Sequence, residues 1–239
     1  MVEYMLSVSN LNAGYGKFHI VFDASFNVAE REILTVVGPN GSGKSTLLKA
    51  LFGLATIYSG SVIFKGSNIT GYPPHVKARI GLAYLPQTDN VFAELSVREN
   101  IIMASYTLDE NEARDRIEEV LSVYPILKQR LDYKAKSLSG GERQILALAM
   151  TLIRRPELIM LDEPTANLAP LIARDLIKKI VQLRDELKKT VILVEQNARA
   201  ALEVGDKALL MVSGKIAYEG PAGALLKDVE LGKRYLGLR

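Results

Sequence analysis

The chain of 239 residues contains no cysteine and no tryptophan, and it has only two histidines. The absence of cysteine excludes disulfide bonds, thiolate zinc sites and cysteine nucleophiles, and it fits a reducing compartment. Two histidines leave little room for a histidine-rich metal site. The composition therefore excludes several common classes of redox and metal chemistry.

Long apolar runs are also missing. The longest segment without a charged residue, residues 50–64, is interrupted by Gly53, Ser59 and Gly60, and a spanning helix needs about 18 or more apolar residues. The N-terminus carries Glu3 and lacks the apolar segment of a secretion signal. We therefore expect a chain that neither crosses a membrane nor is exported. A net charge of +3 is too small to indicate a nucleic-acid partner.

The spacing of apolar residues predicts an α/β core that is interrupted by a helical insertion. Hydrophobic residues make up 48% of the sequence, which is typical of a globular protein with a large buried core. Strand and helix patterns alternate at both ends of the chain, whereas the middle is helical. We therefore divide the chain into a core, residues 1–87 and 156–239, and a helical subdomain, residues 88–155.

Individual elements follow from β-branched clusters, capping signals and helical spacing. The predicted strands are Tyr4–Ser9, Ile20–Val28, Ile33–Val37, Ser61–Lys65, Ile80–Leu85, Leu158–Leu161, Thr190–Val194, Lys207–Val212 and Lys215–Tyr218. Helices are predicted at Lys44–Phe52, after Ser96, and at Ala113–Tyr124, Gly141–Arg154, Leu171–Lys189, Ala198–Val204 and Pro221–Leu236.

A glycine-rich loop follows the predicted strand Ile33–Val37. It consists of Gly38, Pro39, Asn40, Gly41, Ser42, Gly43, Lys44, Ser45 and Thr46. In a loop of this spacing, backbone N–H groups and the N-terminus of the next helix face the phosphates of a nucleotide. The lysine reaches the β- and γ-phosphates, and the serine hydroxyl can ligate Mg²⁺. The alternative, a glycine turn with a surface lysine, fits the flanking strand and helix less well.

Two carboxylates follow the apolar strand Leu158–Leu161. The strand brings Asp162 to the C-terminal edge of the sheet, where nucleotides bind, and there it can hold Mg²⁺ directly or through water. Glu163 can act as the general base on the attacking water. An acid that only caps the next helix is the alternative, and the glycine-rich loop upstream makes it the weaker one.

A second phosphate-binding element is predicted at the start of the helix Gly141–Arg154. Its residues are Ser139, Gly140, Gly141 and Glu142. A serine hydroxyl, glycine N–H groups and a helix N-terminus can converge on one anion. Such a segment alone would indicate only a turn, but here it lies 95 residues after Lys44 and 23 before Asp162.

This order of motifs resembles the ATP-binding-cassette (ABC) ATPases, and the resemblance covers essentially the whole chain. Residues 39–46, 138–142 and 161–165 are similar to the family's Walker A motif, signature and Walker B motif. The resemblance implies a P-loop NTPase core with an N-terminal antiparallel β part and an inserted α-helical subdomain. It also implies that the chain binds ATP and Mg²⁺ and hydrolyses ATP.

The resemblance assigns roles to two more residues. Gln87 matches the glutamine that senses Mg²⁺ and the γ-phosphate, so the implied metal site consists of Ser45, Gln87 and Asp162. Tyr15 matches the aromatic residue that stacks on adenine. The alternatives are a polar loop residue for Gln87 and a packed surface tyrosine for Tyr15.

Two positions depart from the family pattern. Gln196 stands at the switch position, where a histidine is usual, and Ala169 stands where an aspartate is usual. A glutamine can bind a γ-phosphate through its NH₂ group but cannot take up a proton. We therefore expect the ATP site built on Lys44 to hydrolyse more slowly than that of a partner ATPase.

The residues at these two positions resemble those of one subgroup of the family, the second ATPase of branched-chain amino acid importers. Relatives in that subgroup include importers of urea and short-chain amides. In the family two ATPases pack head to tail, as a homodimer or heterodimer, so that each signature closes over the other P-loop. The resemblance also implies two membrane-spanning permease subunits, an external solute-binding protein and no nucleic acid.

Attachment to these subunits implies a peripheral location on the cytoplasmic face of the cell membrane. Val91, Phe92 and Leu95 are candidates for the groove that receives a permease helix, although each could be an ordinary core residue. A soluble ABC ATPase of DNA repair or translation is an alternative, but residues 87–139 are too few for its long coiled coil. A nucleotide-binding regulator without turnover is a third reading, against which Glu163 argues.

Overall fold

The computed structural model describes residues 4–237. The outermost residues of the predicted core, 1–3 and 238–239, and the observation on Glu3 lie outside this range. No helix in the described range is both long enough and apolar enough to span a bilayer.

The structure contains two sheets and helices on either side of the larger one. The strands are β1 Leu6–Tyr15, β2 Phe18–Val28, β3 Ile33–Val37, β4 Thr56–Phe64, β5 Ser67–Asn68, β6 Leu82–Leu85, β7 Leu158–Asp162, β8 Thr190–Val194, β9 Lys207–Val212 and β10 Lys215–Pro221. The α-helices are α1 Lys44–Phe52, α2 Pro74–Arg79, α3 Val97–Ser105, α4 Glu110–Val123, α5 Pro125–Lys128, α6 Gly140–Leu152, α7 Pro170–Asp185, α8 Ala198–Val204, α9 Ala222–Lys227 and α10 Val229–Leu231.

The sheets confirm the predicted α/β class with an antiparallel N-terminal part. The smaller sheet is antiparallel in the order β2-β1-β4-β5, and the larger one has the order β10-β9-β3-β8-β7-β6. In the larger sheet all neighbours run parallel except β10, which pairs with β9 in the antiparallel sense. Strands β3, β7 and β8 are buried at every residue, as expected of parallel strands covered on both faces.

This strand order brings four functional segments to one edge of the sheet. Parallel neighbours open their carboxyl ends on the same side, where ligands bind in such folds. The glycine-rich loop follows β3, Gln196 follows β8, the two carboxylates lie at the end of β7, and Gln87 follows β6. Segments more than 100 residues apart in sequence therefore meet at one place.

Helix α1 and the helical segment pack on opposite faces of the larger sheet. Leu47 and Leu51 of α1 belong to one buried cluster with residues of both sheets. Ile101 of α3 and Leu146 of α6 belong to another cluster with Leu161 of β7. The helices between residues 88 and 155 thus share a core with the sheet, and the division into core and subdomain stays a prediction.

The C-terminal segment differs from the sequence expectation. One amphipathic helix was expected over Pro221–Leu236, but the chain forms α9, α10 and a π-helical segment, Gly232–Leu236. Asp228 separates α9 from α10 because its backbone is extended and its side chain accepts a hydrogen bond from the Leu231 N–H. Such local capping by Asp interrupts a helix even where apolar spacing continues.

Lys77 in α2 is a buried cation that takes no part in the site described below. Its Nζ donates a hydrogen bond of 2.8 Å to the Leu51 carbonyl oxygen at the end of α1, and its side chain is fully buried. Burial lowers its pKa from 10.5 to about 8.

We expect Lys77→Met to remove one pH-dependent contribution to stability. Between about pH 8 and 10.5 the unfolded chain binds more protons at Lys77 than the folded chain, so the free energy of unfolding rises with pH. The rise contributed by Lys77 amounts to about 3 kcal/mol. Urea unfolding at several pH values should show a shallower rise in the variant, and equal slopes for both proteins would contradict this account.

Candidate active site

The glycine-rich loop places helix α1 with its N-terminus at the sheet edge. Gly38 has φ 147°, and a Cβ atom there would lie 2.1 Å from the carbonyl oxygen of Met211. Only glycine fits this position because any other side chain would displace the backbone of β9. Gly43 caps α1 with a left-handed conformation, so Lys44 is the first helical residue.

The Lys44 side chain extends from the start of α1 back to the glycine-rich loop and is almost fully buried, with 4% of its surface exposed. Its Nζ donates hydrogen bonds to the carbonyl oxygens of Gly38, at 2.9 Å, and Pro39, at 3.1 Å. Burial lowers the pKa of Lys44, whereas the carboxylates of Glu163 and Asp162 oppose this shift. The cation is thus held among the groups that surround the end of β7.

Asp162 is bonded from two sides at the end of β7. Its Oδ1 accepts a hydrogen bond of 2.8 Å from Ser45 Oγ, and its Oδ2 accepts one of 3.0 Å from the Tyr84 hydroxyl. The pKa of Tyr84 is raised, first by burial and then by the charge of Asp162. Tyr84 therefore stays protonated and orients the carboxylate, a role that the sequence analysis missed.

The two oxygens of Ser45 and Asp162 fit a Mg²⁺ ion. Mg²⁺ in nucleotide sites usually takes one or two protein oxygens and completes its shell with water and phosphate. No group of three or more potential His, Asp or Glu ligands occurs in residues 4–237. The ion would therefore depend on this pair and on the nucleotide, and its presence stays a prediction.

Glu163 has a strained backbone and a defined side-chain position. Its φ is 47°, its N–H donates to the Val194 carbonyl oxygen at 2.9 Å, and its Oε2 accepts a hydrogen bond of 3.0 Å from Gln87 Nε2. A left-handed conformation at a residue other than glycine costs about 1–3 kcal/mol and is common at functional sites. Gln87, which was predicted as a metal ligand with Ser45 and Asp162, thus forms its hydrogen bond with Glu163 instead.

A cleft of about 500 Å³ is lined by the loop, Gln87, Glu163 and Gln196, whereas Asp162 lies behind Ser45 and does not line it. The full lining of the cleft consists of Ile20, Asn40, Gly41, Ser42, Gly43, Lys44, Ser45, Thr46, Gln87, Glu163 and Gln196. Most of the predicted site residues therefore meet in one cavity. Ile20 of β2 was not foreseen, whereas Tyr15 lies at the end of β1, is 38% exposed and does not line the cleft.

The four signature residues lie outside this cleft and begin helix α6. Ser139 Oγ accepts a hydrogen bond from the Glu142 N–H, and Glu142 accepts one from the Ser139 N–H in return. The hydrogen bond from Ser139 is the main cause of the lowered pKa of Glu142, with Arg130 adding a smaller effect. The motif is a capping box, and its Ser-x-x-Glu spacing could have revealed this from sequence.

Helix α7 packs directly on the signature. A Cβ atom on Gly141 would lie 2.5 Å from Cγ2 of Ile172, so glycine permits the close approach of α6 and α7. Ala169 stands before α7 as its N-cap and makes no side-chain capping bond. The loop between Glu163 and α7 therefore connects the cleft with the signature helix of the same chain.

Comparisons with known proteins agree with this arrangement. The sequence profile of the ABC transporter family matches residues 21–166, which is more than half of the chain. The chain belongs to the ABC transporter family. As a member with a P-loop and a carboxylate in one cleft, it is an ATP-binding and ATP-hydrolysing chain.

Three relatives are similar over nearly the full length of this ABC ATPase. A probable branched-chain amino acid transport ATP-binding protein, LivF of Archaeoglobus fulgidus, is 51% identical over 98% of this chain and 99% of its own. The high-affinity branched-chain amino acid transport ATP-binding protein BraG of Pseudomonas aeruginosa is 39% identical, over 98% and 100%. LptB of Escherichia coli, an ATP-binding protein of lipopolysaccharide export, is 33% identical over 97% of each chain.

A solved structure supports the same fold. The ATP-binding cassette MJ1267 of an ABC transporter superimposes with a TM-score of 0.88 at 26% identity, over 96% of this chain and 98% of that one.

Proposed function

We propose that this ABC ATPase energises the import of branched-chain amino acids. The observation that carries the proposal is the 51% identity to the Archaeoglobus fulgidus transport protein across both whole chains. The second branched-chain relative supports it, at 39% identity. Gln196 and Ala169, the two departures from the usual family pattern, support the same subgroup.

The cleft residues divide into binding and catalytic roles. Lys44 and the loop N–H groups bind the β- and γ-phosphates of ATP, and Tyr15 stacks on adenine. A Mg²⁺ ion bound at Ser45 and Asp162 would neutralise phosphate charge. Glu163 orients and deprotonates the attacking water, and Gln87 holds the Glu163 carboxylate in place through their hydrogen bond.

Gln196 donates a hydrogen bond from its NH₂ group to the γ-phosphate. Loss of that phosphate after hydrolysis removes a contact that exists only in the closed state, so the site reopens. The cycle is therefore a switch that the γ-phosphate holds closed.

The second half of each ATP site comes from a partner ATPase. In this chain the signature lies outside the cleft, at the start of α6, which supports its use by a different molecule. Helix α6 is 13 residues long, and its first N–H groups have no acceptor within the helix. Head-to-tail pairing brings these groups to the γ-phosphate in the partner's cleft, whether the partner is the same or a different chain.

Docking on two permease subunits places the ATPase at the cytoplasmic face of the membrane. The helical segment exposes Phe92 and Ile102, each with about half of its surface open, next to Met103. Val91 and Leu95, which were predicted with Phe92, are half-buried. These exposed apolar residues of the helical segment are the proposed contact with the permeases, and an external solute-binding protein would supply the permeases with substrate.

Identification of the proteins that bind this chain tests the assignment. After expression at native level with an affinity tag, the chain should copurify with membrane permease subunits and a second ATPase. Copurification with ribosomes or DNA would contradict the transport function. Copurification with permeases for lipopolysaccharide, urea or short-chain amides would overturn only the branched-chain assignment. The assignment as a transport ATPase would still hold.

The site built on Lys44 is expected to be the slower of the two ATP sites. Gln196 can contact the γ-phosphate but cannot exchange a proton, so restoring the usual residue with Gln196→His should raise the ATPase rate of the assembled pair. Glu163→Gln should then reduce the rate of the pair less than the matching change in a different partner chain. Equal losses from the two changes, measured as steady-state phosphate release, would rule out the asymmetry.

A further inference from the structure

Glu195 is a buried carboxylate next to Gln196 that the roles above do not use. It follows β8 directly, and only 2% of its surface is exposed. Its Oε1 accepts a hydrogen bond of 3.1 Å from the Thr165 N–H, and its Oε2 accepts one of 2.8 Å from Thr165 Oγ1. Both oxygens are therefore bonded to one residue of the loop that follows Glu163.

Hydrogen bonds hold the backbone on both sides of Glu163. On one side the Glu163 N–H donates to the Val194 carbonyl oxygen at 2.9 Å, and on the other Glu195 holds Thr165. The Ala166 N–H also donates to the Glu163 carbonyl oxygen at 3.1 Å, which makes the segment a tight turn. The left-handed Glu163 backbone, with φ 47°, is thus fixed from both ends.

Glu195 does not reach the nucleotide cleft itself. Gln196 lines both that cleft and a neighbouring one of about 700 Å³, whereas Glu195 and Thr165 line only the neighbouring one. A contribution of Glu195 to hydrolysis would therefore pass through Thr165 and the adjacent Gln196.

We propose that Glu195 is a positioning residue for ATP hydrolysis, which holds Glu163 and Gln196 in a fixed relation through its two hydrogen bonds to Thr165. The proposal rests on the roles assigned to Glu163 and Gln196. Catalytic groups must be held within fractions of an ångström, and a displacement of about 1 Å can cost about 100-fold in rate. A buried two-point bond between the segments that carry both groups provides that restraint.

Steady-state ATPase measurements test the proposal on the full-length chain in its assembled pair, with the partner's own site inactivated by the change that matches Glu163→Gln. Glu195→Ala should lower kcat about tenfold or more, whereas the KM for ATP and the affinity for a fluorescent ATP analogue change less than about threefold. Glu195→Gln should retain at least about a third of the wild-type kcat, because its amide oxygen accepts from the Thr165 N–H and its NH₂ donates to the hydroxyl.

A double variant and a matched control separate positioning from general destabilisation. Thr165→Val should lower kcat by about threefold, and adding it to Glu195→Ala should cause no further loss, since both remove the same contact. Thr70→Val is the control: its hydroxyl accepts a hydrogen bond from the Val62 N–H and donates one to Asn68 Oδ1, but it lies beside the smaller sheet and does not line the cleft. This control should keep the wild-type kcat.

Three outcomes would overturn the proposal. They are a Glu195→Ala kcat within about twofold of wild type, a double variant in which the two losses multiply, and a Glu195→Gln enzyme as slow as Glu195→Ala. If Glu195→Ala does not fold, equal kcat values for Thr165→Val and Thr70→Val would overturn it instead. A Glu163→Gln variant as active as wild type would refute the assigned role of Glu163, which is a separate failure.

Discussion

Glu163→Gln is expected to lower kcat at the ATP site built on Lys44 by about 100- to 10,000-fold, measured in a pair whose partner site is already inactivated by the matching change, because a positioned general base contributes that much to a proton transfer. The amide keeps the shape of the side chain but cannot accept the proton of the attacking water. ATP binding should persist, since the P-loop contacts do not involve this residue. Steady-state assays of phosphate release measure kcat, and titration with a fluorescent ATP analogue measures ATP binding.

A control acid makes this comparison specific. Glu186 lies exposed at the end of α7 and accepts a hydrogen bond from Gln182 at 3.1 Å, away from the cleft. Glu186→Gln should therefore retain full activity. A Glu163→Gln enzyme with kcat within about fivefold of wild type would show that another group acts as the base.

Lys44→Ala should have the second large effect, a loss of ATP affinity of about 10- to 100-fold. The reason is that a hydrogen bond to a charged group contributes about 1.5–3 kcal/mol. The change also leaves the carbonyl oxygens of Gly38 and Pro39 without the donor that now bonds to both. Titration with the same fluorescent analogue measures the loss, independently of turnover.

Lys49 provides the matched control for this substitution. It lies in the same helix, in its last turn, and is only half-buried. Lys49→Ala should bind ATP as the wild type does. If Lys44→Ala also bound ATP with unchanged affinity, the glycine-rich loop would not be the phosphate site.

The sequence allowed the prediction of those parts of the site that depend on local chain order. The spacing from Gly38 to Ser45 determines a loop whose N–H groups face one point, and an apolar strand that ends in Asp162 leaves that carboxylate at the sheet edge. Both features need no knowledge of the tertiary structure. In the structure the loop follows β3 and lines the cleft from Asn40 to Thr46, and Asp162 is the last residue of β7.

Contacts between distant segments could not be predicted in this way. The bond from Tyr84 to Asp162 depends on the register of β6 beside β7, where Leu85 pairs with Leu161. The bonds from Thr165 to Glu195 depend on β8 lying next to β7. Neither register can be read from one sequence, because many pairings of apolar strands bury similar surface.

Transport by the assembled complex tests the central claim most directly. The ATPase, its partner and the permeases would be reconstituted in lipid vesicles, with ATP on the side of the ATPase and the solute-binding protein opposite. Wild-type vesicles should take up radiolabelled leucine only with ATP, and vesicles that combine Glu163→Gln with the matching change in the partner should take up almost none. ATP-dependent uptake of urea without leucine, or ATP-dependent removal of lipid from the vesicles, would contradict the account.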